Sequence, residues 1–161
     1  IHWLPLLANS WTKRGVQVHV PTPRDNQQRY CFGAVDFHTG ESCFRLSRKK
    51  DSKAFVAFLQ RLMSQTSKKI ILVCDNYSVH KTQAVRDFVK EHADRLRLVF
   101  LPTYSPWLNP IEQFWRHLKK RVLANRFFET IAAQMRELWK CLTCLAADGP
   151  QVRRLIGANA S

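Results

Sequence analysis

No stretch of this chain is apolar for long enough to cross a bilayer as a helix, because Arg, Lys, Asp or His interrupts every hydrophobic run. No secretory signal is visible at its start, and there are no internal repeats or low-complexity tracts. A G-x-G-x-x-G run and a Walker-type loop are both missing, so nucleotide hydrolysis has no support. Cys141 and Cys144 form a lone C-x-x-C with no second C-x-x-C or H-x-x-x-H to complete a zinc set, and packing explains them better. His2, His19, His38, His92 and His117 share no metal-ligand spacing. Cys31, Cys43 and Cys74 lie in strand-like segments and read as small core residues. Five cysteines without a disulfide framework suit a reducing cytosol.

Acidic side chains are scarce. Twelve Asp plus Glu face 26 Lys plus Arg, a net charge of +14. A folded domain with that excess repels itself unless it meets a polyanion, and nucleic acid is the default partner because phosphate neutralisation releases counterions. The 161 residues, 45% of them hydrophobic, suit one domain with a real core.

Residues 1 to 7 read as the tail of a strand whose earlier part precedes Ile1, and Ile1-His2-Trp3 looks cut from a longer chain. Val16, Val18 and Val20 alternate in a strand ended by prolines. Residues 29 to 47 read as a hairpin turning at Asp36 to Gly40. The period then changes. Phe55, Val56, Phe58, Leu59, Leu62 and Met63 share one helical face, with Asp51 or Ser52 as cap. A strand over 69 to 74, expected to be buried on both faces, precedes a helix from about Thr82 to Ala93 and a strand over 96 to 102. The proline-rich "TYSPWLNP" forbids a helix until Pro110, with Asn109 as its cap. Residues 126 to 146 continue as a second helix, and the breaker-rich end is expected to fray. The order predicts an α/β domain with a mixed sheet, three antiparallel strands then two parallel ones, flanked by helices.

Asp75 directly follows the most apolar strand, so its burial has to be offset by a cap, an ion pair or a metal ion. Glu112 lies in a first helical turn, where the macrodipole favours an anion, with Arg116 and Lys119 one and two turns on. Taken alone, Glu112 with an i, i+4 Arg is an ordinary surface pair worth little. Together, an acid ending a central strand and an acid opening a helix converge where open α/β sheets place ligands. Two such carboxylates suit Mg²⁺ or Mn²⁺, hard cations that prefer oxygen, and a metal pair at such a site cleaves phosphodiesters. Arg116, Lys119, Lys120 and Arg121 form the favoured phosphate track. Arg48-Lys49-Lys50, Lys68-Lys69 and Lys13-Arg14 are weaker candidates. Trp107 lies in the loop and suits base stacking, whereas Trp115 reads as core.

"LVCDNYSVH" followed by "VFLPTYSPWLNPIEQFW", with "VPTPRDNQQRYCFGAVDFHTGE" upstream, resembles the catalytic domain of DDE transposases of the bacterial insertion-sequence branch of the mariner superfamily. The likeness covers nearly the whole chain. It implies a ribonuclease H-like fold and Mg²⁺-dependent (or Mn²⁺-dependent) cutting of transposon ends, followed by strand transfer into target DNA. It also implies a homodimer or larger assembly on paired ends, in the bacterial cytoplasm at the nucleoid. Carried over by motif, Asp75 resembles the second acidic residue and Glu112 the third, with 36 residues between them. Asn76, His80 and Asn109 match supporting positions. Tyr104, Ser105, Pro106 and Pro110 would shape the loop presenting Glu112. The family's first Asp, in the first strand, is expected just upstream of Ile1, as is an N-terminal DNA-recognition region. Asp36 matches a turn position instead. An incomplete acidic set leaves open a second reading, an inactive DNA-binding or assembly module. The proline loop argues against a third, a junction-resolving nuclease.

Overall fold

The computed structural model describes residues 27–102 and 108–158. The strands expected over 1 to 7 and 15 to 23 lie outside them, as do Tyr104, Ser105, Pro106 and Trp107. Strands β1 (Tyr30–Val35) and β2 (Ser42–Ser47) pair antiparallel with Gly33 opposite Phe44. The intervening turn is held by Asp36, whose Oδ1 accepts from the His38 and Thr39 N–H groups at 2.7 and 2.9 Å. Partial burial would raise the Asp36 pKa, but those N–H bonds and His38 together hold it below the usual carboxylate range.

Helix α1 (Ser52–Ser64) begins where Asp51 takes up an extended backbone and its carboxylate accepts from the Ala54 N–H at 2.8 Å. At the other end, the Arg95 guanidinium donates to the Met63 carbonyl, which the end of the helix leaves orphaned, and to the Thr66 carbonyl just beyond it. Strands β3 (Ile70–Cys74) and β4 (Leu96–Phe100) run parallel, joined through a 3₁₀ turn (Ser78–Lys81) and α2 (Gln83–Glu91). Helices α3 (Ile111–Leu123), α4 (Ile131–Ala146) and α5 (Gly149–Leu155) complete the described residues.

The period-2 alternation of the hairpin sorts its side chains between two cores. Phe32, Ala34 and Cys43 pack with Phe55, Phe58 and Leu59 of α1, and with Val85, Phe88 and Leu96. Phe44, with Cys31, Val35 and Leu46 at the margin, packs instead with Phe114 and Leu118 of α3 and with Leu138, Leu142 and Val152. Phe44 stacks on Phe114 at 5.1 Å between ring centroids.

Several expectations need correction. Among the described residues the strands form two separate two-stranded sheets, hairpin and parallel pair, rather than one mixed sheet. The strand 70–74 is not buried on both faces: Ile70, Leu72 and Cys74 turn inward, while Ile71 and Val73 are 68% and 45% exposed. No helix of the second core packs over that side, because α3 to α5 are committed to the hairpin. Residues 126 to 130 are not helical. Asn125 turns into the left-handed region (φ 52°) just after α3, and Thr130 caps α4 through the Ala133 N–H. The C-terminal segment does not fray over 149–158. Gly149 and Pro150 open α5 instead of breaking it, since proline in a first turn removes only a donor that has no partner there. Val152, Ile156 and Ala158 are buried.

A Cβ on Gly33 would lie 2.6 Å from Cη2 of Trp115 and 2.7 Å from Cδ1 of Phe44, so glycine alone lets α3 lie this close to β1. Gly33→Ala is expected to destabilise the fold by about 1–3 kcal/mol through overpacking, read as a lower urea midpoint.

Candidate active site

Asp75 follows the last residue of β3. Two bonds lock that end of the parallel pair: the Leu101 N–H donates to the Cys74 carbonyl at 2.9 Å, and the Asn76 Nδ2 donates to the Leu101 carbonyl at 2.5 Å. Asn76 thus staples the end of β3 to the end of β4 beside the acid. Asp75 itself is not buried. Its side chain is 53% exposed, so the expectation of a desolvated acid needing neutralisation fails. The cause is the bare outer face of β3, which opens onto a cavity and gives the carboxylate water.

One oxygen of Asp75 is nevertheless fixed. Oδ1 accepts from the Tyr77 N–H at 3.3 Å and lies 3.0 Å from Nδ1 of His80. His80 sits on the 3₁₀ turn with its side chain only 13% exposed. Its ring packs at a tilt against Phe55 of α1, 4.2 Å between centroids, and edge-to-face with Tyr77 at 5.9 Å. Burial pushes the His80 pKa below its ordinary value; Asp75 pulls it upward and Lys50 pushes it down. His80 is therefore neutral near pH 7 and reaches Asp75 as a hydrogen-bond donor. The neighbouring Cys74 thiol is pushed up to about 12 by burial and by Asp75, which leaves it protonated and unfit as a nucleophile.

Glu112 is exposed in the first turn of α3. Its N–H donates to the Asn109 carbonyl at 3.0 Å. Asn109 thus contributes main chain, not the side-chain cap expected of it, because Pro110 is already helical (φ −58°, ψ −29°) and takes the cap position. Asp75 and Glu112 line one cavity of about 850 Å³, together with His80, Lys50, Trp115 and Lys119. Two exposed carboxylates lining one cavity are oxygen donors of the kind a hard divalent cation takes. Among the described residues no three His, Cys, Asp or Glu side chains gather closely enough to hold a metal ion.

The basic track divides. Lys119 lines the cavity, one helical face with Glu112 and Arg116. Arg116 donates to Gln113 Oε1 at 3.2 Å, and Lys120 is exposed beside it. Arg121 falls on the opposite side of α3, where its charge acts on Cys141 of α4. Trp107 lies outside the described residues. Trp115 is half-buried between Gly33 and Phe44, as a core residue, and also borders the cavity. Sequence reasoning missed Phe55 and Tyr77 as site residues. Both lie where apolar periodicity or turn composition explains them fully, and only the packing on His80 reveals the connection.

A family model of the DDE superfamily endonucleases matches residues 5–133, and the chain belongs to that family. It is 32% identical over 144 residues to the insertion element IS630 uncharacterized 39 kDa protein of Shigella sonnei, covering 88% of this chain and 40% of that protein. An uncharacterized Sinorhizobium fredii protein, y4pE/y4sA, is 27% identical over 106 residues, covering 62% of this chain and 72% of that protein. The chain thus spans about two fifths of the Shigella relative. Its fold is shared with Mos1, in a strand transfer complex (TM-score 0.67, 18% identity, 98% of this chain and 48% of that one) and in a mariner paired end complex with Mn (0.68, 18%, 95% and 47%). It is a domain of the DDE superfamily endonucleases, and its mixed α/β fold is similar to that of Mos1.

The His80 contacts give a pH signature. The unfolded chain takes up a proton near the ordinary histidine value of 6.5, the native state only below it, so stability falls as pH drops through that range. His80→Phe keeps a ring on Phe55 and removes this contribution. Urea midpoints across an acid series should therefore fall less steeply in His80→Phe than in the wild type.

Proposed function

We propose that this chain is the catalytic domain of a bacterial cut-and-paste transposase. It cleaves phosphodiesters at element ends and joins the freed 3′-hydroxyl to target DNA. The observation that carries this is the shared cavity: Asp75 from the end of a parallel strand and Glu112 from the start of a helix, with 36 residues between them in sequence, both line it. The charge of +14 supports a DNA partner. So do the Mos1 structures, a strand transfer complex and a mariner paired end complex with Mn. Paired ends also motivate a homodimer or larger assembly, and a DNA substrate in a bacterium motivates a nucleoid-associated, cytoplasmic protein.

Asp75 and Glu112 are the residues that hold Mg²⁺ or Mn²⁺ in this reading. Bound there, such a cation supplies activation of the nucleophile and stabilisation of the leaving oxygen. The rest of the work belongs to the chain. His80 and the Tyr77 N–H hold one Asp75 oxygen and so set the direction of the carboxylate. Asn76 fixes the strand ends beneath it. The start of α3 adds a partial positive charge beside Glu112, and Lys119 presents an ammonium to the phosphate two turns along.

In the intact protein, Asp75→Ala and Glu112→Ala are each expected to lower Mg²⁺-dependent cleavage of terminal-repeat DNA by a factor on the order of 10³, several kcal/mol of lost transition-state stabilisation. Cleavage unchanged in either variant rejects the assignment. A wild type that binds DNA yet cuts nothing with either metal favours the assembly-module reading.

A further inference from the structure

Asp75 and Glu112 present negative charge to the cavity through which an anionic strand must pass, so the strand needs cations close to the acids. Lys50, Lys69 and Lys119 line that cavity. Lys69 precedes β3, six residues before Asp75, and at about 3.3 Å per residue it is roughly 20 Å away along the strand, beyond the screening length. Lys119 lies seven residues past Glu112, about 10 Å along its helix. Lys50 belongs to the loop between β2 and α1, yet it lines the same cavity and is linked to Asp75 through Tyr77 and His80. Its Nζ sits 3.6 Å above the Tyr77 ring, whose edge contacts His80, the partner of Asp75. Its charge is felt at His80. The two ion pairs among the described residues are His80–Asp75 and Lys140–Glu137, so neither Lys50 nor Lys119 is neutralised by an acid there. A lysine held over an aromatic face is steered without being discharged.

We propose that Lys50 is a substrate-positioning residue that contacts a backbone phosphate of the DNA strand entering the site, with Tyr77 as its rest. This rests on the DNA-cleaving reading above and adds a specific contact from an element that the acidic motifs do not include. The three members of the run Arg48-Lys49-Lys50 are then unequal: Lys50 lines the cavity and Lys49 does not.

The test is binding of fluorescein-labelled duplex DNA of random sequence to the intact protein, by anisotropy across a salt series in metal-free buffer. Loss of one phosphate contact lowers the slope of log K against log[salt] by about 0.9. Lys50→Ala should show that drop and Lys50→Arg should restore the slope. Lys50→Met, which keeps the aliphatic stem over Tyr77 and removes only charge, should match Lys50→Ala. Tyr77→Ala should weaken binding part of the way, and Lys49→Ala should change the slope less than Lys50→Ala. An unchanged slope in Lys50→Ala and Lys50→Met, or an equal drop in Lys49→Ala, overturns the proposal. A wild type without salt-dependent binding sinks the DNA reading as well. A wild type that binds and cleaves while the Lys50 variants match it sinks this contact alone.

Discussion

The β1–β2 hairpin is apolar on both faces, and the described elements are arranged by which face they cover. Phe32, Ala34 and Cys43 bury against α1, and through it against the parallel pair and α2. Phe44, Cys31 and Leu46 bury against α3, α4 and α5. Each face removes large aromatic and aliphatic surface from water, the dominant favourable term in folding. Because the hairpin is shared, the helix carrying Glu112 is placed relative to the strand carrying Asp75 without a direct sheet bond between them. Gly33 sets how near α3 comes, since a side chain there would meet Trp115.

That division also explains the cavity. The helices of the second core are committed to the hairpin, so the outer face of β3 keeps Ile71 and Val73 open. Asp75 at the end of that strand therefore has water on one side and the His80–Phe55 pair on the other. An acid so placed is solvated and oriented together: water reaches one side of it, and the His80 imidazole fixes one oxygen. A fully buried acid would be costly to ionise, and a fully exposed one would lack a defined direction.

The excess positive charge is unevenly organised. On α3, Lys119 shares the Glu112 face while Arg121 turns to the opposite side, so a run that is continuous in sequence is split by the 100° advance per residue. Lys50, distant along the chain, joins the same cavity through a loop. Charge near the acids is thus assembled from separate elements, and the remaining Lys and Arg residues supply the general field that attracts a polyanion.

What the residues determined by themselves was local. Alternation and helical periodicity located the hairpin, α1, the parallel strands and α3, and the run from Tyr104 to Trp115 marked Glu112 through its motif. Capping chemistry was legible at Asp51, where a carboxylate and the N–H it binds are three residues apart. It misled at Asn109, because a helical Pro110 moves the cap. It misled again over 126–130, because nothing local announces that Asn125 leaves the helix in a left-handed turn. Only the tertiary structure decided that Asp75 is exposed, that His80 rests on Phe55, and that Arg121 and Lys119 part company. Burial is a property of what packs across a surface, and those partners come from segments far apart in the chain, which no short window of sequence contains.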